Sequence, residues 1–486
     1  MERKLKKQPV SQLLLAVLCL LSATLSYGQQ RTFKAGAATT VITPYLGGGI
    51  VGNFGTPPEA KNIHDELHAR SLVLDDGDSK IVFIICDNIG LARKVCDAAK
   101  QEIQERTGIP TDHILIAGTH THSATSAEGE GPKRRGWSPA EPLDRYQDML
   151  ATRIADAVDM AIYRLEPAKI GWGSVNIPEH VFNRRWHMKQ LVVNPFGEKE
   201  PVRFNPGIGN PDIVKPAGPT DPEVSFLSVQ AIDGRAIALL ANYSLHYIGG
   251  VPKHDISADY FAVFANRMQE LLLKDNTETP FVGIMTNGTS GDINNVNVQG
   301  KAPKDAPYQK MKFVANDIAE KVHRSLQGVK YQPWLKLQAK QTEQKLNVRK
   351  PTEKQLALAK QIFALPEDAK PINHPLERTY AQRITQLQNE WPAEISVILQ
   401  TFRIGDLQIA AIPFETFAET GLALKAQYPK NKTFTITFAN GSYGYLPTPE
   451  QHKLGGYETW LGTNRVEIEA SRKIFGTLTN LFSLMN

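Results

Sequence analysis

Apolar residues along this chain follow two rhythms. Runs such as LHARSLVLDD, KIVFIICDN and HILIAGTHTHS open short and dense in branched residues, and turn-forming or polar residues bound them, as in buried strands. AATTVITP reads as another strand, closed by Pro44. Between them, KVCDAAKQEIQERTG and RYQDMLATRIADAVDMAIYRL repeat apolar residues every three or four positions, which predicts helices, the first ending on Gly108. The rhythm returns downstream, with EVSFLSVQAID, AIALLANYSLH and PFVGIMTNGTSGDINN as strands and DYFAVFANRMQELLLKD as a helix. This alternation predicts an α/β fold, a mostly parallel or mixed β-sheet core flanked by helices. Residues 190–222 crowd Pro, Gly and Asn without a period and predict one long loop. Residues 335–395 are rich in Lys, Gln and Glu and predict a polar helical section outside the core.

The first residues do not belong to this pattern. MERKLKKQPV is basic, SQLLLAVLCLLSATL is apolar, and SYG supplies small residues, which together predict a signal peptide over residues 1–28. The remaining 29–486 are expected to form one catalytic domain that is exported, periplasmic or secreted. No later run approaches the about 18 apolar residues of a membrane helix, so no stable span is expected after cleavage. The formal charge is +5 over 486 residues. The leader's Arg3, Lys4, Lys6 and Lys7 against Glu2 account for three of those charges, leaving +2, which argues against a nucleic-acid partner. Cys86 and Cys96 remain after cleavage, and their spacing allows either a disulfide or two buried thiols.

The polar residues that matter fall where apolar runs end. GTHTHS brings His120 and His122, LLANYSLHY brings His246, IMTNGTSGDINN brings Asp292 and Asn294, and LQIAAIPFETF brings Glu415. A fifth segment, TITFANGSYGYLPTPE, ends with Tyr443 and Tyr445. In an extended strand, residues two apart face the same way, so His120 and His122 would address one spot. Parallel strands carry ligands at their carboxyl ends, and two histidines with one carboxylate make a catalytic zinc set that leaves a position for water.

In their order, AGAATTVITP, LHARSLVL, GTHTHS, SLHYIGG, NGTSGDINN, PFET and NGSYGYLPTPE through GGYE resemble the neutral ceramidase family, zinc amidohydrolases that cleave the N-acyl bond of ceramide. The resemblance implies Zn2+ held by His120, His246, Glu415 and Tyr445. It also implies a reacting centre lined by His122, Arg184 of FNRRW and Tyr457 of the Tyr-Glu pair.

Three departures accompany it. Asn294 stands where the family has an active-site serine, and an amide donates hydrogen bonds but is no nucleophile, so Ser290 is the only nearby substitute. The tail after THTHS is altered to SATSAEGEGPKRRGW, and no C-terminal β-sandwich is expected. These differences argue against ceramide itself. The expected activity is hydrolysis of an N-acyl amide by metal-activated water, with His122 moving a proton, Arg184 and Asn294 stabilising the oxyanion, and Tyr457 orienting the substrate or protonating the leaving group. Two alternatives remain: a zinc esterase, lactonase or deacylase acting on a carbohydrate, and a non-catalytic, zinc-stabilised binding protein. The partner expected is a small-molecule, lipid or glycan substrate.

Overall fold

The computed structural model describes residues 31–53, 55–129, 141–273, 280–302 and 304–485. The leader read over residues 1–28 and most of the altered tail after THTHS lie outside them. Longer elements are numbered in chain order. The amino-terminal half runs through β1 (Lys34–Val41), β2 (His68–Asp75), β3 (Lys80–Cys86), α1 (Arg93–Thr107), β4 (Ile114–Gly118), α2 (Arg145–Tyr163) and β5 (Glu166–Asn176). Next come β6 (Arg185–Val193), β7 (Lys199–Phe204), β8 (Ile213–Pro216), β9 (Glu223–Ala231), β10 (Ala236–Tyr243), α3 (Asp259–Leu273), β11 (Val282–Asn287) and α4 (Gln309–Ser325). The remainder is β12 (Leu337–Asn347), α5 (Glu353–Ala364), α6 (Glu377–Asn389), β13 (Glu394–Ile404), β14 (Leu407–Ile412), α7 (Ala418–Gln427), β15 (Lys432–Thr437) and α8 (Ala470–Ser483).

These strands build two principal sheets. The larger has eight strands in the order β11-β10-β9-β5-β1-β2-β3-β4, and the smaller has four, β12-β13-β14-β15. Both are mixed. Inside the larger sheet the pairings are antiparallel, and only the two edge pairs, β3–β4 and β10–β11, are parallel. In the smaller sheet only β14–β15 is parallel.

The sheets face each other across one apolar layer, where Phe83, Leu115, Leu240 and Ile284 of the larger meet Phe402, Ile409, Phe434 and Ile436 of the smaller. Helices cover the outer faces. α1 and α2 pack on Ile84 and Ile116, α3 and α4 on Leu239 and Met285, and α6 and α8 on Val397 and Ile412. This four-layer packing explains why IVFIIC is apolar throughout: Phe83 and Ile85 point between the sheets, and Val82, Ile84 and Cys86 point toward the helices. Both Cys86 and Cys96 are buried free thiols.

Local signals hold where a side chain or turn specifies them. α1 ends on Gly108 at φ 74, in the left-handed region that glycine adopts without steric cost. α2 starts on a capping box between Asp144 and Gln147.

Three expectations need correction. The strand carrying HILIA stops at Gly118, so THTHS is not extended backbone. Residues 190–222 are not one loop, because β6, β7 and β8 form a three-stranded sheet. Their turn residues separate short strands, and register shifts within β6 erase the alternation. The polar section from 335 begins with β12, which pairs with β13 over eleven residues. An edge strand with a wetted face carries the Gln, Lys and Glu that also favour helices. α5 and α6, further along, are the helices expected.

The two sheets are also tied at their strand ends. Beyond β11, the buried Asp292 accepts from Ala418 N at 2.9 Å, capping α7, and from Asn183 Nδ2 at 2.8 Å. Burial raises its carboxyl to about 7, more than these donors and the nearby Arg185 lower it. A carboxyl raised in the fold holds its proton to higher pH than in the unfolded chain. Its stabilising contribution is therefore complete below about pH 4 and declines as pH rises toward 7. Urea unfolding of wild type and Asp292→Asn should consequently diverge between pH 5 and 8, moving in favour of the variant by on the order of 2 kcal/mol. Parallel stability curves over that range would show that Asp292 ionises normally.

Candidate active site

The carboxyl ends of the parallel pairs converge on one cavity of about 830 Å³. β4 delivers His120 and His122, β10 delivers His246, β11 leads to Asn294, β14 to Glu415 and β15 to Tyr445. Each of these residues lines the cavity, together with Arg184 and Tyr457. All eight site residues expected from the sequence are thus brought together.

The histidine pair converges by a route that strand alternation does not describe. Beyond Gly118, Thr119 N donates to Cys86 O and His120 N donates to Asn88 O, pinning the chain to the end of β3. His120 itself sits at φ 71, a left-handed conformation that costs a residue with a side chain on the order of 1 to 3 kcal/mol. The bend sets the His120 and His122 rings at 86° to each other, with their Nε2 atoms 3.1 Å apart.

His246 completes the cluster, its Nε2 lying 3.2 Å from that of His120. His120 Nδ1 donates to Ile89 O at 2.6 Å, and His246 Nδ1 donates to Ser290 O at 3.1 Å. Those bonds fix the tautomer and leave both Nε2 atoms as lone-pair donors facing each other. Burial, with the neighbouring imidazole and Arg184, pushes His246 well below the usual histidine range. His122 is lowered in the same way, first by burial. It differs in its other nitrogen, because Nδ1 is buried without a hydrogen-bond partner of ordinary geometry.

Glu415 and Tyr445 arrive side by side. Glu415 pairs with Tyr445 and Thr416 with Leu446 in a short parallel ladder. Glu415 Oε2 lies 3.5 Å from His120 Nε2 and is buried with no hydrogen-bond partner. Burial opposes its ionisation, but His120, the Tyr445 hydroxyl and Arg184 outweigh that and hold its carboxyl below the usual range. Gly291 makes this approach possible, since a Cβ there would stand 2.4 Å from the Glu415 carbonyl oxygen.

Two imidazole nitrogens and a carboxylate oxygen gathered in a buried space offer lone pairs that repel unless a cation joins them. The donor set therefore fits a divalent metal ion. Among the described residues, His120, His122 and His246 form the group of His, Cys, Asp and Glu able to hold one.

Around this cluster the chain places one large guanidinium. Arg184 Nη2 donates to the Tyr445 hydroxyl at 2.9 Å and to Gly291 O at 2.7 Å, and its Nε donates to Glu458 at 2.9 Å. No described residue accepts from its Nη1. Arg185 turns away from the cavity, donating to the other Glu458 oxygen at 2.7 Å and to Gly455 O at 2.7 Å. Glu458 is fully buried between the two arginines. It went unrecognised in the Tyr-Glu pair, where attention falls on the tyrosine; two adjacent arginines entering a buried strand are the signal that calls for a carboxylate.

Asn294 stands on the cavity wall, donating from Nδ2 to Asn205 at 2.7 Å and accepting from Val296 N at 2.9 Å. One N–H remains for another acceptor. Ser290 does not reach the cavity lining; its hydroxyl donates to Asn287 at 2.7 Å and lies 3.4 Å from His246 Nδ1, the edge opposite the cluster. Tyr443 is buried in the apolar layer against α6 and α8, and Asp292 serves α7.

The fold is shared with known structures. Neutral ceramidase from Pseudomonas aeruginosa superposes with a TM-score of 0.69 at 16% identity, over 93% of this chain and 74% of that chain. A ceramidase complexed with C2 gives 0.67 at 16% identity, over 93% and 75%. Residues 33–329 match the family described as neutral/alkaline non-lysosomal ceramidase, N-terminal, and with more than half of its length so matched the chain belongs to that family.

Proposed function

We propose that this chain is an exported, zinc-dependent hydrolase that cleaves N-acyl amides with ceramidase-like chemistry. The observation that carries this reading is the meeting of the His120 and His246 Nε2 lone pairs 3.2 Å apart beside the unpartnered Glu415 oxygen. Three nitrogen or carboxylate donors from separate strand ends, with a tyrosine beside them, suit zinc better than the harder cations that prefer all-oxygen sites. His120, His246, Glu415 and Tyr445 would hold the ion, and when bound it supplies Lewis acidity that makes water nucleophilic near neutral pH.

The remaining steps belong to side chains. His122 takes the proton released as water adds to the acyl carbon, and returns one to the departing nitrogen. Its Nδ1 supports that role, because the Gly52 backbone approaches it without ordinary hydrogen-bond geometry and holds its tautomer less firmly than carbonyls hold those of His120 and His246. The free Nη1 of Arg184 and the spare N–H of Asn294 are donors suited to charge developing on the acyl oxygen. Tyr457, beside Tyr445 at 5.7 Å between ring centroids, orients the amide.

Purified protein should contain about one zinc per chain by elemental analysis, and His120→Ala or His246→Ala should lose it. Full occupancy in both variants would remove these residues from the ligand set. His122→Ala should keep the metal and lose roughly 10²-fold or more in turnover of an N-acyl substrate such as a short-chain ceramide. Metal loss in His122→Ala with retention in His120→Ala would exchange their roles. For Asn294→Ala, the expected cost is about 2.7 to 4 kcal/mol of transition-state stabilisation with zinc content unchanged. Unchanged kcat/KM in that variant would take Asn294 out of the reaction.

A further inference from the structure

The cavity that holds the histidine cluster carries a charge imbalance that amide hydrolysis does not explain. Its lining includes three guanidinium groups, Arg184, Arg383 and Arg465, and a single carboxylate, Glu415. Glu415 is turned to His120, and Arg184 is matched by the buried Glu458. The other two arginines form no ion pair with a carboxylate among the described residues.

Arg383 comes from α6 and rests its Nη1 against the neutral hydroxyls of Thr463, at 3.1 Å, and Tyr380, at 3.3 Å. Arg465 is partly buried and lies over the Trp391 ring, 5.3 Å from its centroid. Its guanidinium has neither a hydrogen bond nor an ion pair among the described residues. Its Nη1 stands 3.2 Å from where a Cβ on Gly444 would lie, next to Tyr445. The arginine is therefore at the metal side of the cavity and not at a distant rim. Burial weakens its hold on its proton by more than the nearby Glu128 carboxylate, which forms no ion pair with it, strengthens it, and Arg383 adds to the weakening.

A buried or half-buried charge normally finds a partner within the protein. Two guanidinium groups that share a ligand cavity and are bonded to no carboxylate are suited to a planar oxyanion supplied from outside, which each can grip through parallel N–H donors. We infer that Arg383 and Arg465 form an anion subsite, so that the substrate bears a carboxylate or a similar oxyanion on its leaving-amine part, close to the scissile bond. This deepens the reading of the cavity as an amide-hydrolysing site and rests on it. An uncharged ceramide would leave both arginines unmatched.

Two probes separate the possibilities: N-decanoylglycine, which ends in a carboxylate, and N-decanoylglycinamide, which has the same acyl amide and a neutral end. Calorimetric titration of the zinc-loaded full chain should show the carboxylate binding at least about tenfold more tightly, the scale of one charged hydrogen bond. The preference should fall to within about threefold in Arg383→Gln/Arg465→Gln at unchanged zinc content, which excludes direct capture of the carboxylate by the metal. Arg465→Gln should lose most of it, and Arg465→Lys, with the charge but not the fork, should keep part. These single variants decide the matter if the double variant does not fold. Equal affinities in wild type, or a preference that survives both Gln variants, would overturn the anion subsite. Chromatography of the same mixtures reports whether the amide is cleaved, so a protein that binds the carboxylate selectively but cleaves nothing would fail the amidase reading alone.

Discussion

The meeting of imidazole lone pairs at the head of the cavity constrains everything near it. In water two neutral histidines can avoid each other, but here backbone carbonyls of Ile89 and Ser290 take the Nδ1 protons and leave the Nε2 atoms no alternative direction. Burial removes the solvent that would screen the encounter. Such a geometry persists only because the surrounding backbone over-determines it, and the surrounding backbone is specific. The left-handed φ of His120 is held by bonds from Thr119 and His120 to the end of β3, so the strand that precedes the motif and its parallel neighbour jointly aim the ring.

A second constraint lies one layer further out. Glu458 is taken out of water between Arg184 and Arg185, and each of its oxygens receives a separate guanidinium. Burying such a triad gives little net stability, because desolvation offsets most of the attraction, whereas removing one member leaves an uncompensated charge at a cost of about 3 to 5 kcal/mol. The arrangement instead fixes position. Arg185 opens β6 and reaches Gln451 and Gly455, and Arg184 reaches Gly291 and Tyr445, so one carboxylate sets the register of the small sheet against the loops that carry the histidine partners.

How far the sequence discloses this arrangement follows from which forces are local. The strands, the long helices and the Gly108 stop were legible because periodicity and caps act over a few residues. The mixed character of the sheets was legible too, but their division into two was not, since IVFIIC reads identically whether its faces meet helices or a second sheet. Polar β12 was misread because an edge strand and a solvated helix use the same Gln, Lys and Glu. At the site, the residue types at strand ends marked eight positions that the fold does gather. The reason for their meeting was hidden: His120 and His122 converge through a bend that no alternation rule contains, and Glu458 has meaning only once two arginines 274 and 273 positions away in sequence have been placed beside it.

The same reasoning explains why the least informative stretch of sequence bears on specificity. The section that reads as polar and external contributes α6, which supplies Thr379, Gln382 and Arg383, with Leu376 just ahead of it, to the cavity wall. A catalytic cluster built on rigid strand ends can stay fixed while a helix laid across its mouth varies, because the helix is anchored by its own apolar stripe, Tyr380, Ile384 and Leu387, and not by the site. Reaction type and substrate preference therefore rest on different parts of the chain. On the reading proposed above, the strand ends decide what chemistry is possible, and the cavity wall, through Arg383 of α6 and Arg465 ahead of α8, decides which molecules receive it.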